Sequence, residues 1–268
     1  MPTTKELLDA GNLTAAIQEL TREVKAAPAD PRLRTALFEL LAFAGEWSRA
    51  EKQIAAAAAA DPASQLAAQM YRSVLAAEGE RARVFAAEAR PAFLRPPPAY
   101  VEAHLAALQA VRQGRLAEAR GLLDSAEDER PAMPGRAGDR TFADLRDFDD
   151  FCGPFLEMVF KGRYTWFPLE QARRIQISPP RKLRDLLWPG AQIEADDGTR
   201  GDVFLFALYS GSPSSADDLI RLGRMTDWKS LADDLTVGAG QRSFLVDDDA
   251  VGLFELSDIT FDPRGNPK

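Results

Sequence analysis

Three strings decide how this chain is read: Gly11-Asn-Leu-Thr-Ala-Ala16, Gly45-Glu-Trp-Ser-Arg-Ala50 and Gly114-Arg-Leu-Ala-Glu-Ala119. With Gly79, the four glycines stand at steps of 34, 34 and 35 residues. Glycine reaches the left-handed conformation cheaply, so it closes a helix and lets the chain turn back. The large residue two places on (Leu13, Trp47, Leu116) plugs the gap between two helices. The alanine three places later (Ala16, Ala50, Ala119) lets their backbones approach. Proline then ends the second helix: Pro28 and Asp30-Pro31 in the first unit, Asp61-Pro62 in the second.

A 34-residue step with this local pattern is the mark of tetratricopeptide-type hairpins. Such hairpins bury their apolar faces only by stacking, and the stack presents a groove to a partner. The third unit, Gly79-Glu-Arg-Ala-Arg-Val84, fits poorly and runs into Arg95-Pro96-Pro97-Pro98, so it reads as a degenerate hairpin. Residues 1–128 are therefore expected to be a stack of helical hairpins. First-helix positions Arg34, Phe38 and Leu41 are its expected partner contacts, with Leu37 and Leu40 in the core.

Residues 129–141, with two prolines and two glycines, read as a linker. Residues 142–268 read as a small α+β domain. Of the 23 aromatic residues, 16 fall after residue 130, a bias toward strands. Asp147 to Phe160 is expected to be helical, because Phe148, Phe151, Phe155 and Val159 make one stripe. Tyr164–Phe167 reads as a strand and Leu183–Trp188 as a helical turn. Hairpins are expected around Asp197-Gly198 and around Asp247-Asp248-Asp249, with Ser257–Phe261 extending the last strand. The fold class is α+β, with an antiparallel twisted sheet or partial barrel behind the hairpin stack.

At 268 residues, 46% hydrophobic and 28% charged, the chain has room for two globular parts. The net charge of −8 disfavours a nucleic-acid partner. The basic run Arg173-Arg174 to Arg181-Lys182-Leu183-Arg184 reads as a solvated face answering acids such as Asp147, Asp149 and Asp150. No apolar run approaches the ~18 residues that cross a bilayer, and the start, Met1-Pro-Thr-Thr-Lys-Glu, has no apolar signal core. With one cysteine, Cys152, the chain fits a reducing cytoplasm.

Chemistry is hard to find. The only histidine, His104, falls in the hairpin region, and Cys152 stands among phenylalanines as an inert buried thiol. Histidine triads, Cys–His dyads and Cys/His zinc sites are therefore not expected. Gly238-Ala-Gly240 is too short for a phosphate loop. Asp247-Asp248-Asp249 needs no metal to explain it. No catalytic residue, cofactor or metal is expected. The competing readings are a carboxylate-based enzyme in the second half and a general tetratricopeptide co-chaperone or scaffold.

The second half carries five strings in order: Gly162-Arg-Tyr-Thr-Trp-Phe-Pro168, Leu183-Arg-Asp-Leu-Leu-Trp188, Asp197-Gly-Thr-Arg-Gly-Asp-Val-Phe-Leu-Phe-Ala-Leu-Tyr209, Arg221-Leu-Gly-Arg-Met-Thr-Asp-Trp228 and Gly240-Gln-Arg-Ser-Phe-Leu-Val246. In that order they resemble the ImpE/TagJ (SciE-type) family of type VI secretion accessory proteins, and Leu7-Leu-Asp-Ala-Gly-Asn-Leu-Thr-Ala-Ala-Ile17 is similar to that family's start. One departure is Phe206, where the family's proline is expected. The resemblance implies a cytoplasmic, non-enzymatic adaptor. Its implied partners are the smaller subunit of the contractile sheath and the AAA+ ATPase that dismantles the contracted sheath, with no nucleic acid and no membrane. Arg221-Leu-Gly-Arg224 and Asp227-Trp228 read as structural, with Arg224 and Asp227 spaced to pair.

Overall fold

A computed structural model describes residues 2–60, 64–232 and 235–263. Its first half is helical. Thr3 and Glu6 form a capping box before α1 (Thr4–Asp9), Asn12 caps α2 (Leu13–Ala26), and Asp30 caps α3 (Pro31–Phe43), with proline at the first helical position. There follow α4 (Trp47–Ala60), α5 (Gln65–Phe85), α6 (Val101–Arg112) and α7 (Leu116–Glu129).

Gly11, Gly45 and Gly114 take φ of 76°, 71° and 73° just past α1, α3 and α6. At each, the next N–H reaches back into the helix: Asn12 to the Leu7 carbonyl (2.8 Å), Glu46 to Leu41 (2.9 Å), Arg115 to Ala110 (2.8 Å). Ala16, Ala50 and Ala119 are fully buried at the close approaches between helices. The end that Asp61-Pro62 was expected to give the second unit lies outside the described residues.

The third unit departs from a hairpin. Gly79 sits inside the unbroken α5, which has no antiparallel helix of its own. Ala87, at φ 53°, takes the place of a capping glycine. The chain then runs as a strap to β5 (Arg163–Pro168). There Ala92 donates to Tyr164 O (3.1 Å) and accepts from Trp166 N–H (3.0 Å). The strap covers an edge that would otherwise expose unpaired main-chain groups.

The second half is antiparallel. Its largest sheet has eight strands in the order β2-β1-β13-β6-β7-β8-β4-β5. These are β1 (Gly135–Ala137), β2 (Arg140–Phe142), β4 (Phe155–Phe160), β5, β6 (Ala172–Ile177), β7 (Gly190–Ala195), β8 (Arg200–Leu205) and β13 (Asp258–Phe261). A three-stranded sheet joins β3 (Leu145–Asp147), β11 (Ser243–Val246) and β12 (Asp249–Gly252). A two-stranded ribbon joins β9 (Thr226–Ala232) and β10 (Leu235–Gly240). A short helix, α8 (Asp218–Arg221), precedes the ribbon. The chain is thus α+β with antiparallel sheets.

Three expectations are corrected. Asp147 to Phe160 is not a helix. Asp147 and Asp149 accept hydrogen bonds from the N–H groups two residues on, turning the chain, and β4 begins after Pro154. The stretch 129–141 is more than a linker: it supplies β1 and most of β2, and β1 pairs with β13. A Cβ on Gly135 would stand 2.4 Å from Thr260 O, so glycine is what lets β1 close on its neighbour. Finally, β13 does not extend the last hairpin. It crosses to the large sheet and pairs with β6.

Two cores result. One lies wholly between the sheets, around Leu156, Met158, Phe167, Ile175 and Phe244. The other joins the halves: Phe38, Tyr71, Val74 and Leu108 of the helices pack with Phe155, Trp166, Trp188 and Phe206. Strand β4 serves both cores, with alternate residues facing each, and so is buried along most of its length.

Candidate functional site

The expected partner groove is occupied by the chain itself. Phe38 and Leu41 are fully buried, so neither offers contact to a partner. Trp188, from the turn Leu183–Leu186 and the residues after it, lies against α3 and α5. Its ring stands 6.3 Å from Phe38, 6.3 Å from Tyr71 and 6.4 Å from Trp47, and its indole N–H donates to Glu78 (2.9 Å). Arg184 pairs with Glu39 of α3 and rests 4.8 Å over the Tyr71 ring. Arg34 donates to Pro28 O ahead of its own helix (2.7 Å) and to Gln53 of α4 (3.0 Å). Leu37 and Leu40 are in the core.

Beside Trp188 lies a buried ionic cluster that sequence reading missed. Arg81 of α5 grips Glu157 of β4 through two hydrogen bonds (2.8 and 2.9 Å) and also donates to Leu208 O (2.8 Å). Arg242 donates to both Glu157 and Asp147, and its Nε reaches Phe206 O at 3.0 Å. Tyr164 donates to Glu157 and accepts from the Trp166 indole (2.7 Å). Tyr209 donates to Asp147 (2.9 Å). Asp149 accepts from Phe151 N–H (2.9 Å) and Gly238 N–H (2.8 Å), tying the ribbon to the core.

Four carboxylates (Glu78, Asp147, Asp149, Glu157) face two guanidiniums, and none has more than a tenth of its surface exposed. Their charges part accordingly. Burial pushes Glu157 up, but Arg81 and Arg242 outweigh it and hold the carboxyl at about 2. Burial, then the neighbouring Asp147, raises Asp149 to about 7, and burial raises Glu78. Burial and nearby Glu157 and Asp149 push the Cys152 thiol up, away from thiolate chemistry. The signal available in sequence was a charge inside an apolar run: Glu157 in Phe155-Leu-Glu-Met-Val-Phe160, and Arg242 before Ser243-Phe-Leu-Val.

His104 is buried on α6, its Nδ1 3.2 Å from Phe151 O and its ring edge-on to Phe155 at 4.9 Å. Burial lowers its pKa from 6.5 to about 4. A neutral histidine so held adds stability above pH 6.5 and loses it as pH falls toward 4, on the order of 3 kcal/mol in all. Asp149, raised from 3.8 to about 7, acts oppositely over much of that window, since its folded form keeps the proton that the unfolded form releases. His104→Gln retains a donor without the titration. Denaturant melts of both proteins between pH 7 and 4 should show the wild type losing more stability than the variant. Parallel losses would contradict the assignment.

The basic run is answered by acids other than those expected: Arg174 by Asp258 (2.7 Å), Arg173 by Glu194 (3.7 Å) and Arg184 by Glu39. Arg224 donates to Asp9 O (3.2 Å) rather than to Asp227, and Arg221 pairs with Asp218, whose other oxygen accepts from Thr14 N–H (3.0 Å). These bonds pin α8 to the first hairpin. Asp247 accepts from Ala143 and Asp144 N–H, and Asp249 pairs with Arg140 (2.8 Å). Among the described residues no group of three or more His, Cys, Asp or Glu side chains is arranged to hold a metal ion. Among the described residues no helix is long and apolar enough to cross a membrane. Phe206 N–H makes only a long bond, 3.4 Å to Glu157 O, so a proline in its place would give up little.

The sequence pattern described as ImpE protein matches residues 139–260. The type VI secretion system accessory component TagJ of Pseudomonas aeruginosa is 36% identical over 259 residues, covering 97% of this chain and 91% of that protein. The crystal structure of a protein from Vibrio parahaemolyticus superposes with a TM-score of 0.90 at 25% identity, covering 97% of this chain and 98% of that one. Shared sequence over nearly the whole length, on a shared fold, shows that this chain belongs to the ImpE/TagJ family.

Proposed function

We propose that this protein is an accessory component of a type VI secretion system and works by holding other proteins, without a reaction of its own. The observation that carries this reading is the near full-length similarity to the accessory component TagJ. The arrangement of the helices agrees with it. The pairs α1/α2, α3/α4 and α6/α7, joined at capping glycines on a 34-residue step, are tetratricopeptide-like, and that architecture serves protein recognition. The partners we propose are the smaller sheath subunit and the AAA+ ATPase that dismantles the contracted sheath, met in the cytoplasm.

The buried acids and bases favour an adaptor over an enzyme. Arg81, Arg242, Glu157 and Asp147 satisfy one another inside the core, away from any substrate. A partner must therefore use the outer surface. The groove behind Phe38 is filled, whereas α5 presents Leu66 and Met70, 79% and 40% exposed, four residues apart on one face. The test is retention of purified sheath subunits and ATPase on the immobilised full-length chain. Retention of at least one of them is expected, with no nucleotide turnover by the chain alone. Retention of none, or turnover abolished by a single substitution in the chain, would overturn the proposal.

A further inference from the structure

We draw no further inference here: the strongest candidate, the surface trough between α5 and the strands β7 and β8, lined by Met70, Ser73, Val159 and Phe204 with the exposed Leu66 one turn before Met70, carries nothing because the charges on its lining, Lys161 and Asp202, are opposite and select no partner, and nothing in the structure shows what covers it.

Discussion

Arg242→Ala is expected to cost about 3–5 kcal/mol, the range for removing one partner from a buried ion pair. The guanidinium is 0% exposed, and its loss strands Asp147 and half of Glu157. The remaining cation, Arg81, reaches Glu157 but is not among Asp147's hydrogen-bond partners. In thermal melts the variant should unfold on the order of 10 °C below the wild type, given about 2–4 °C per kcal/mol for a chain near this size. Arg242→Lys should fall between, because one ammonium cannot reproduce the two-carboxylate fork and the bond to Phe206 O. Adding Asp147→Asn to Arg242→Ala should recover part of the loss by removing the stranded charge, since Glu157 keeps Arg81. A melting point for Arg242→Ala within a degree or two of wild type would show that the cluster does not hold the fold.

Trp188→Ala should cost a similar ~3–5 kcal/mol, the usual range for deleting a large buried aromatic side chain. The ring is 1% exposed and spans the gap between α3 and α5, and its N–H satisfies Glu78 in the interior. The loss is therefore a cavity and a stranded acceptor together. Trp188→Phe should keep most of the packing and lose the hydrogen bond, so it separates the two. The variant also asks whether the halves fold as one. Because the core around Trp188 includes Phe38, Tyr71, Phe155 and Trp166, far-ultraviolet and tryptophan-fluorescence melts should shift together. A shift confined to one probe, with the helical signal unmoved, would mean that the helices stand without the sheet.

The helical half was legible because its signals are local. Gly11, Gly45 and Gly114 act as caps within one turn of the helices they close, and Ala16, Ala50 and Ala119 mark contacts within a single hairpin. The hairpin at Asp197-Gly198 was legible for the same reason. What escaped depends on distant residues. Phe38 looks like a groove position until Trp188, some 150 residues later, is placed on it, and Leu41 is fully buried as well. The stripe Phe148, Phe151, Phe155, Val159 has helical spacing by coincidence: the first two residues belong to a turn and the last two to β4. Gly153-Pro154 within that span was a warning against a helix, and the burial of β4 on both faces erased the alternation that marks a strand. Arg81 gave no sign of its role, since an arginine on a helix is ordinarily a surface residue, and its partner Glu157 lies 76 positions away.

The proposed place of this protein is in a type VI secretion machine. Fluorescence imaging of the contractile sheath in the host strain, with the gene deleted and then restored, tests it most directly. Deletion is expected to alter the rate at which sheaths assemble or contracted sheaths disappear, and the wild-type chain to restore it. Sheath cycles indistinguishable from wild type in the deletion strain would contradict it.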